Sequence, residues 1–296
     1  MDQGVVGSSG GRLGGLRVWT ERDSPQRERQ LIWRLVNAQG AGWRLARAPI
    51  LNADGVQLEL EGSWAAGAGR HGVIAVDDIV LLDGDCAPAP PQSRPAAGDC
   101  DFTHDACGWS NSTTDEPRQQ RWRLAAPLAA QAPRILLTDH TFRDAGGYIY
   151  FDLFSPQDRR EQLRMVSPLL EPPATGGGGA GACVAFWLAH LSPSEPTQLR
   201  VLLEVVTSGV GDDAQFGEPT VLWSVRASET GARRLTWLYG QAGFRATQSY
   251  RITFEGDASK YGFALDDITF TSGDCEVRPS NAAPNEGARE QRSLIR

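Results

Sequence analysis

Five cysteines carry the most pointed chemistry in this 296-residue sequence: Cys86, Cys100, Cys107, Cys183 and Cys275. The four histidines, His71, His104, His140 and His190, are scattered, with none at i, i+4 on a helical pattern and none beside a cysteine at zinc-finger spacing. Thiolate or imidazole metal centres therefore find no ligand set. Disulfide chemistry is the expectation, with one thiol left over by the odd count. A second candidate is a doublet of adjacent acids, Asp266-Asp267, repeated as Asp77-Asp78. On a strand, alternation puts one acid on each face, so the two carboxylates cannot converge on one substrate. An inward-facing carboxylate needs hydrogen bonds or a cation. Structural hydrogen bonding is the expectation here, and a Ca2+ site built from Asp101, Asp139 and Asp267 is the alternative.

Other short motifs fail on context. Gly7-Ser8-Ser9-Gly10-Gly11 matches the Gly-x-Ser-x-Gly string of hydrolases, but no strand precedes it and no helix follows. The glycine run Gly176–Gly181 contains dinucleotide-type spacing, yet Pro172-Pro173 come before it and a strand comes after. No His-Glu-x-x-His string and no nucleophile–base–orienter set is present. His140, in the turn Asp139-His140-Thr141, and His190, at a strand end, read as structural. Asn111-Ser112-Thr113 is an N-glycosylation sequon in a polar stretch, and Asn111 is the expected acceptor.

The elements that must position these residues are strands. In Tyr250–Glu255 the apolar Tyr250, Ile252 and Phe254 alternate with Arg251, Thr253 and Glu255, a period of two with one face buried. Val56, Leu58 and Leu60 alternate in the same way. Tyr148–Phe154, Leu163–Ser167, Cys183–His190, Leu199–Val206, Val221–Val225 and Leu235–Tyr239 are further short apolar runs parted by Gly, Pro, Asp and Ser. Helical periodicity is hard to find, so the fold class is all-β, a sandwich, jelly roll or barrel. Trp187, Trp223 and Trp237 fall on these strands, and the tryptophans as a set read as core. An apolar share of 41% suffices for a core. A net charge of -7 argues against a nucleic-acid groove or an anionic-lipid surface. No apolar run reaches the roughly 18 residues of a membrane helix.

A repeat organises the chain. Leu16-Arg17-Val18, Trp33, Leu60-Glu61-Gly62, Ala75-Val76-Asp77-Asp78-Ile79 and Gly84-Asp85-Cys86 return as Leu199-Arg200-Val201, Trp223, Phe254-Glu255-Gly256, Ala264-Leu265-Asp266-Asp267-Ile268 and Gly273-Asp274-Cys275. Trp33 lies 53 positions before Cys86, and Trp223 lies 52 before Cys275. The second copy has a long upstream part and reads as whole over 98–276; the first reads as the C-terminal part of the same module over 12–86. Residues 1–11 form a Gly/Ser-rich segment, 87–97 a Pro-rich linker and 277–296 a disordered tail.

The ordered set Cys100-Asp101-Phe102, Cys107-Gly108-Trp109, Trp122, Asp139-His140-Thr141, Ser167-Pro168-Leu169, Cys183-Val184-Ala185-Phe186-Trp187, Phe254-Glu255-Gly256, Asp266-Asp267 and Cys275 resembles the MAM domain, the extracellular module of meprin, neuropilin and receptor tyrosine phosphatases. The sequence departs from the family pattern at Thr103, where Glu is usual, and at Gly262, one residue later than usual. The resemblance implies a two-sheet jelly roll, preceded here by an incomplete second sandwich, with disulfides Cys100–Cys107 and Cys183–Cys275. It also implies extracellular protein–protein recognition, homophilic or with receptor ectodomains, and no catalysis. Tandem copies on a Pro-rich linker look like multi-MAM membrane glycoproteins. Alternatives are the accessory ectodomain of a meprin-like metalloprotease and a carbohydrate-binding jelly roll. The N-terminus, Met1-Asp2-Gln3-Gly4, does not read as a secretory leader, so the sequence is expected to be a fragment or isoform. Cys86 sits where Cys275 sits, and its partner would fall near or before Met1. Cys86 is therefore expected as a free thiol able to dimerise the chain, and 1–97 is expected not to fold alone.

Overall fold

The computed structural model describes residues 13–22, 29–36, 40, 42–51, 53–64, 73–102, 105–112, 122–125, 137–140, 147–151, 161–172, 181–191, 197–230, 235–258 and 262–284. The Gly7–Gly11 string, His71, His104, Thr103, Thr113 and most of the Gly176–Gly181 run lie outside them, as do 1–11 and 285–296. The chain divides into two units, 1–96 and 97–296.

Unit 1 is built on β1 (Leu13–Arg22), β2 (Arg29–Val36) and β3 (Val56–Trp64), antiparallel in the order β2-β1-β3. Leu16, Trp33 and Leu35 form its buried cluster, with Val18, Ala48 and Ile74 packed against them. Period-two alternation sends Arg17 and Trp19 to the other face, where both bond Glu61: Arg17 Nη1 to Oε1 at 2.7 Å and Trp19 Nε1 to Oε2 at 2.8 Å. Residues 73–82, which carry Asp77-Asp78, lie outside every strand ladder of the described residues.

Unit 2 contains β4 (Ser110–Asn111), β5 (Arg123–Ala125), β6 (Tyr148–Tyr150), β7 (Glu161–Val166), β8 (Gly181–His190), β9 (Gln198–Ser208), β10 (Gln215–Phe216), β11 (Thr220–Arg226), β12 (Trp237–Arg245), β13 (Tyr250–Ala258) and β14 (Phe263–Ser272). One antiparallel sheet runs β10-β9-β13-β7-β4, with β11 also on β9; the other runs β12-β8-β14-β6-β5. The fold is an all-β jelly-roll sandwich, within the all-β class that the strand pattern predicts and of the two-sheet form that the family resemblance implies. Phe186 of β8 joins the two sheets, its ring edge-on to Phe254 of β13 at 4.9 Å and to Trp223 of β11 at 5.1 Å. Phe151 presses so closely on Gly256 and Gly262 that a Cβ at either glycine would overlap its ring.

Two expectations are corrected by the packing. Strand β13 buries both faces, because it lies between β9 and β7 and their side chains cover its outer face: Thr253 is 1% and Glu255 2% exposed. The segments read as linker and tail also begin as folded structure. Gln241 and Arg278 exchange both backbone hydrogen bonds at 2.9 Å, and the Trp223 indole donates to Arg278 O at 2.8 Å. In unit 1, Arg47 and Ala89 exchange theirs at 3.0 Å, and Trp33 donates to Ala89 O at 2.9 Å. A 3₁₀ turn follows each, Pro91–Ser93 and Ser280–Ala282. The repeat thus runs past Cys86 and Cys275. Buried indole N–H groups need an acceptor, and the chain after each cysteine supplies it.

Candidate functional site

The acids of β14 occupy the chemically richest corner of unit 2. Regular alternation would part them, but Asp267 has φ +46° and the β14–β8 register shifts between Asp266 and Thr269. Both side chains therefore turn inward, Asp266 at 0% and Asp267 at 8% exposure, contrary to the expectation of one acid per face. Asp266 accepts the backbone N–H of Asp267 on Oδ1 at 2.7 Å and that of His140 on Oδ2 at 3.0 Å. Asp267 Oδ2 lies 2.7 Å from His140 Nδ1. The His140 ring stacks on Trp187 with centroids 3.8 Å apart and meets Trp237 edge-on. Asp139 is buried beside them.

Burial, then the neighbouring Asp267 and Asp139 charges, push the Asp266 carboxyl well above its ordinary range, against the pull of its two amide bonds. Burial likewise raises Tyr148, with help from Tyr150, Asp266 and Asp139. The corner acts as a clamp that fastens the 137–140 segment to β14. His140 contacts Asp267, Trp187 and Trp237.

Two of the proposed cation ligands, Asp139 and Asp267, share this corner. Among the described residues, which include Asp101, Asp139 and Asp267, no group of three or more His, Cys, Asp or Glu side chains is arranged to hold a metal ion. Both oxygens of Asp266 are already held by backbone amides. The residues present do not fit a Ca2+ site, and this alternative is set aside. In unit 1 the equivalent Asp77-Asp78 pair is exposed and repeats the local bond, Asp78 N to Asp77 Oδ1 at 2.8 Å, with φ +50° at Asp78.

The cysteines pair as Cys100–Cys107 and Cys183–Cys275, with Cα separations of 5.6 and 5.9 Å. Cys100 also exchanges backbone bonds with Ile268, at 2.9 and 2.8 Å, so the small disulfide loop is tied to β14 just past Asp267. Cys86 carries no disulfide and is half-buried. Asn111 uses both ends of its amide on Trp122: Nδ2 donates to the carbonyl at 3.1 Å and Oδ1 accepts the N–H at 2.8 Å. A glycan at Asn111 would share the nitrogen with that bond.

Sequence reasoning passed over one polar constellation. Glu255 on β13 is gripped by Arg164 of β7 at 2.7 Å and Arg200 of β9 at 2.5 Å. The register that sets Glu255 opposite Arg200 sets Glu61 opposite Arg17 in unit 1. The repeated Leu-Arg-Val and Glu-Gly pieces carried that signal. Nearby, burial pushes Glu204 up, but hydrogen bonds from Arg251 and Thr253 outweigh it and leave the carboxyl below its ordinary value.

The family profile described as "MAM domain, meprin/A5/mu" matches residues 6–87 and 100–276. The chain belongs to the MAM family. Among curated relatives, MAM domain-containing protein 2 of Mus musculus is 25% identical over 231 residues, covering 76% of this chain and 30% of that protein. Thyroid hormone-induced protein B of Xenopus laevis is 26% identical over 220 residues, covering 72% and 28%. The chain thus spans about three-tenths of the length of these MAM relatives. Solved structures similar to it include the K1 cleaved adhesin domain of Lys-gingipain from Porphyromonas gingivalis, with TM-score 0.39 and 14% identity over 56% of this chain and 91% of that one. Another is the N-terminal CBM22-1-CBM22-2 tandem domain of Paenibacillus barcinonensis Xyn10C, with TM-score 0.39 and 12% identity over 92% and 77%. Among the described residues, no helix is long and apolar enough to cross a membrane.

Proposed function

We propose that this chain is a non-catalytic extracellular module that binds other proteins, homophilically or in receptor ectodomains. Its host is a multi-MAM membrane or secreted glycoprotein that sorts receptors or ligands at epithelial membranes. The observation carrying this reading is the family match, which extends over both copies of the repeat. The site chemistry agrees with it: the buried acids of β14 are spent on backbone amides and His140 rather than held open for a substrate. The test is bead aggregation with the purified chain on the surface, run beside beads carrying epithelial receptor ectodomains and beside a glycan array. Protein-dependent aggregation or capture is the expected result. Binding to glycans alone, or reproducible turnover of a peptide or ester substrate, would overturn it.

A further inference from the structure

Strands β4 and β5 are edge strands of the two sheets of unit 2, β4 beside β7 in one and β5 beside β6 in the other. Asn111 stitches these edges together. Its backbone belongs to the first sheet, opposite Met165, and the next residue, Ser112, donates to Arg164 O at 3.0 Å. Its side-chain amide grips the second sheet at Trp122, just before β5: Nδ2 donates to Trp122 O at 3.1 Å and Oδ1 accepts Trp122 N–H at 2.8 Å. The Trp122 ring is buried between the sheets, edge-on to Phe151 at 4.6 Å, and its indole donates to Leu163 O of β7 at 3.4 Å. The seam thus closes around one indole and one amide.

That amide is also the acceptor of the only Asn-x-Ser/Thr sequon in the sequence, Asn111-Ser112-Thr113. The two bonds to Trp122 close a ring, which uses the Nδ2 hydrogen on the same side as Oδ1. An N-linked sugar replaces one Nδ2 hydrogen and makes the amide secondary. A secondary amide in its favoured form sets the substituent beside the oxygen and the remaining N–H opposite to it, as a trans peptide bond does. The sugar therefore takes the place of the bonding hydrogen, and the hydrogen left on Nδ2 points away from Trp122. Only the cis amide would restore the bond, and cis amides of this kind are strongly disfavoured.

We propose that a glycan on Asn111 and closure of the β4–β5 seam exclude each other, which makes the sequon a modification switch between a closed and an open edge. The supply of glycan rests on the extracellular reading above; the exclusion does not. Synthesis presents the acceptor first, because β4 pairs with Met165 of β7, and position 165 follows position 111 by 54 residues. In the transfer, Nδ2 attacks the anomeric carbon of a polyprenyl-pyrophosphate-linked oligosaccharide and gives up a proton to solvent. A C–N bond forms, the sugar C–O bond breaks, and the polyprenyl pyrophosphate leaves with the electron pair. The occupied form frees the Trp122 N–H and C=O from Asn111 at the edge of the second sheet, and such backbone groups are what a partner strand pairs with. The glycan-free form keeps them covered.

The test makes the whole 296-residue chain in a secretory host behind a cleavable leader and collects the occupied form on a lectin for N-glycans. The glycan should map to Asn111 and vanish in Thr113→Ala, which keeps the Asn111 amide. In the occupied form the Trp122 amide should exchange at least about tenfold faster than in Thr113→Ala, with protection of β8 unchanged, which separates an opened seam from a lost fold. A second arm offers the folded chain, made without glycan, to an oligosaccharyltransferase supplied with a polyprenyl-pyrophosphate oligosaccharide. Transfer should be at least about tenfold slower than to a peptide of residues 108–118, because the folded chain must first open the seam. Neither arm depends on what the chain binds, so its outcome is separate from that of the adhesion test. A secreted chain with no glycan at Asn111, equal Trp122 exchange in the two forms, or equal transfer to the folded chain and the peptide would overturn the proposal.

Discussion

His140 Nδ1 and Asp267 Oδ2 meet at 2.7 Å although 127 positions separate the two residues in sequence. The contact couples the 137–140 segment to the one residue of β14 with a positive φ, so the local geometry of the strand and the long-range contact depend on each other. Replacing His140 by Ala leaves a buried carboxylate with one hydrogen bond fewer and opens space against Trp187. A loss of about 2–3 kcal/mol in unfolding free energy is expected. Urea unfolding of the variant and the parent checks it.

The neighbouring histidine gives the chain an acid-sensitive point. His190 is fully buried beside Phe263, and burial lowers its pKa from 6.5 to about 4. The unfolded chain therefore binds the proton more readily than the folded one. The stability this residue confers is complete above about pH 6.5 and is lost as pH falls from there through about 4, by up to about 3 kcal/mol. His190→Leu should flatten that part of the stability profile. A profile between pH 4 and 7 that the substitution leaves unchanged would assign the acid sensitivity elsewhere.

The two disulfides should differ in weight. Cys183 and Cys275 are 92 positions apart, and closing a loop of that length restricts the unfolded chain by about 4–5 kcal/mol on the chain-entropy account. Cys100 and Cys107 are seven apart and restrict it less. Thermal melts of the two double-alanine variants should show the larger drop for the Cys183/Cys275 pair. Equal drops would place the stabilisation in the native contacts around the sulfurs.

Glu255 and Glu61 provide a matched experiment, because each is a buried carboxylate set opposite an arginine in equivalent registers. Glu255→Gln should cost unit 2 about 1–3 kcal/mol, with the Arg164 arm discounted because that side chain is 39% exposed. Glu61→Gln should destabilise unit 1 with a similar sign, since it removes the charge facing Arg17 and leaves one acceptor oxygen for the two donors Arg17 and Trp19. Amide exchange resolves the two effects within one molecule.

Much of this architecture was readable from the residues. The repeat located both glutamates, both aspartate pairs and the cysteine left over, and alternation located β3 and β13. Two features were not readable for a physical reason. The left-handed backbone at Asp267 breaks the alternation on which the one-acid-per-face reading depended, and adjacent acids give no hint of it. The strap after each cysteine has no periodicity of its own, since a tryptophan from elsewhere fixes it in place. Its one signal is a proline four places after the cysteine in each copy, Pro90 and Pro279. Of the acids nearest one another, Asp266 is committed to backbone amides and Asp267 to His140, and among the described residues no set of three is arranged for Ca2+.

The ring of Phe151 has a genetic corollary. It fills the space that a side chain at Gly256 or at Gly262 would need, so neither glycine tolerates even alanine while the ring stays where it is. Trimming the ring to a smaller apolar residue should relieve Gly256, whereas a side chain at Gly262 would still meet the backbone carbonyl oxygen of Phe151. In a saturation mutagenesis library, tolerance at 256 would then be conditional on the allele at 151, while 262 stays closed whichever allele is present.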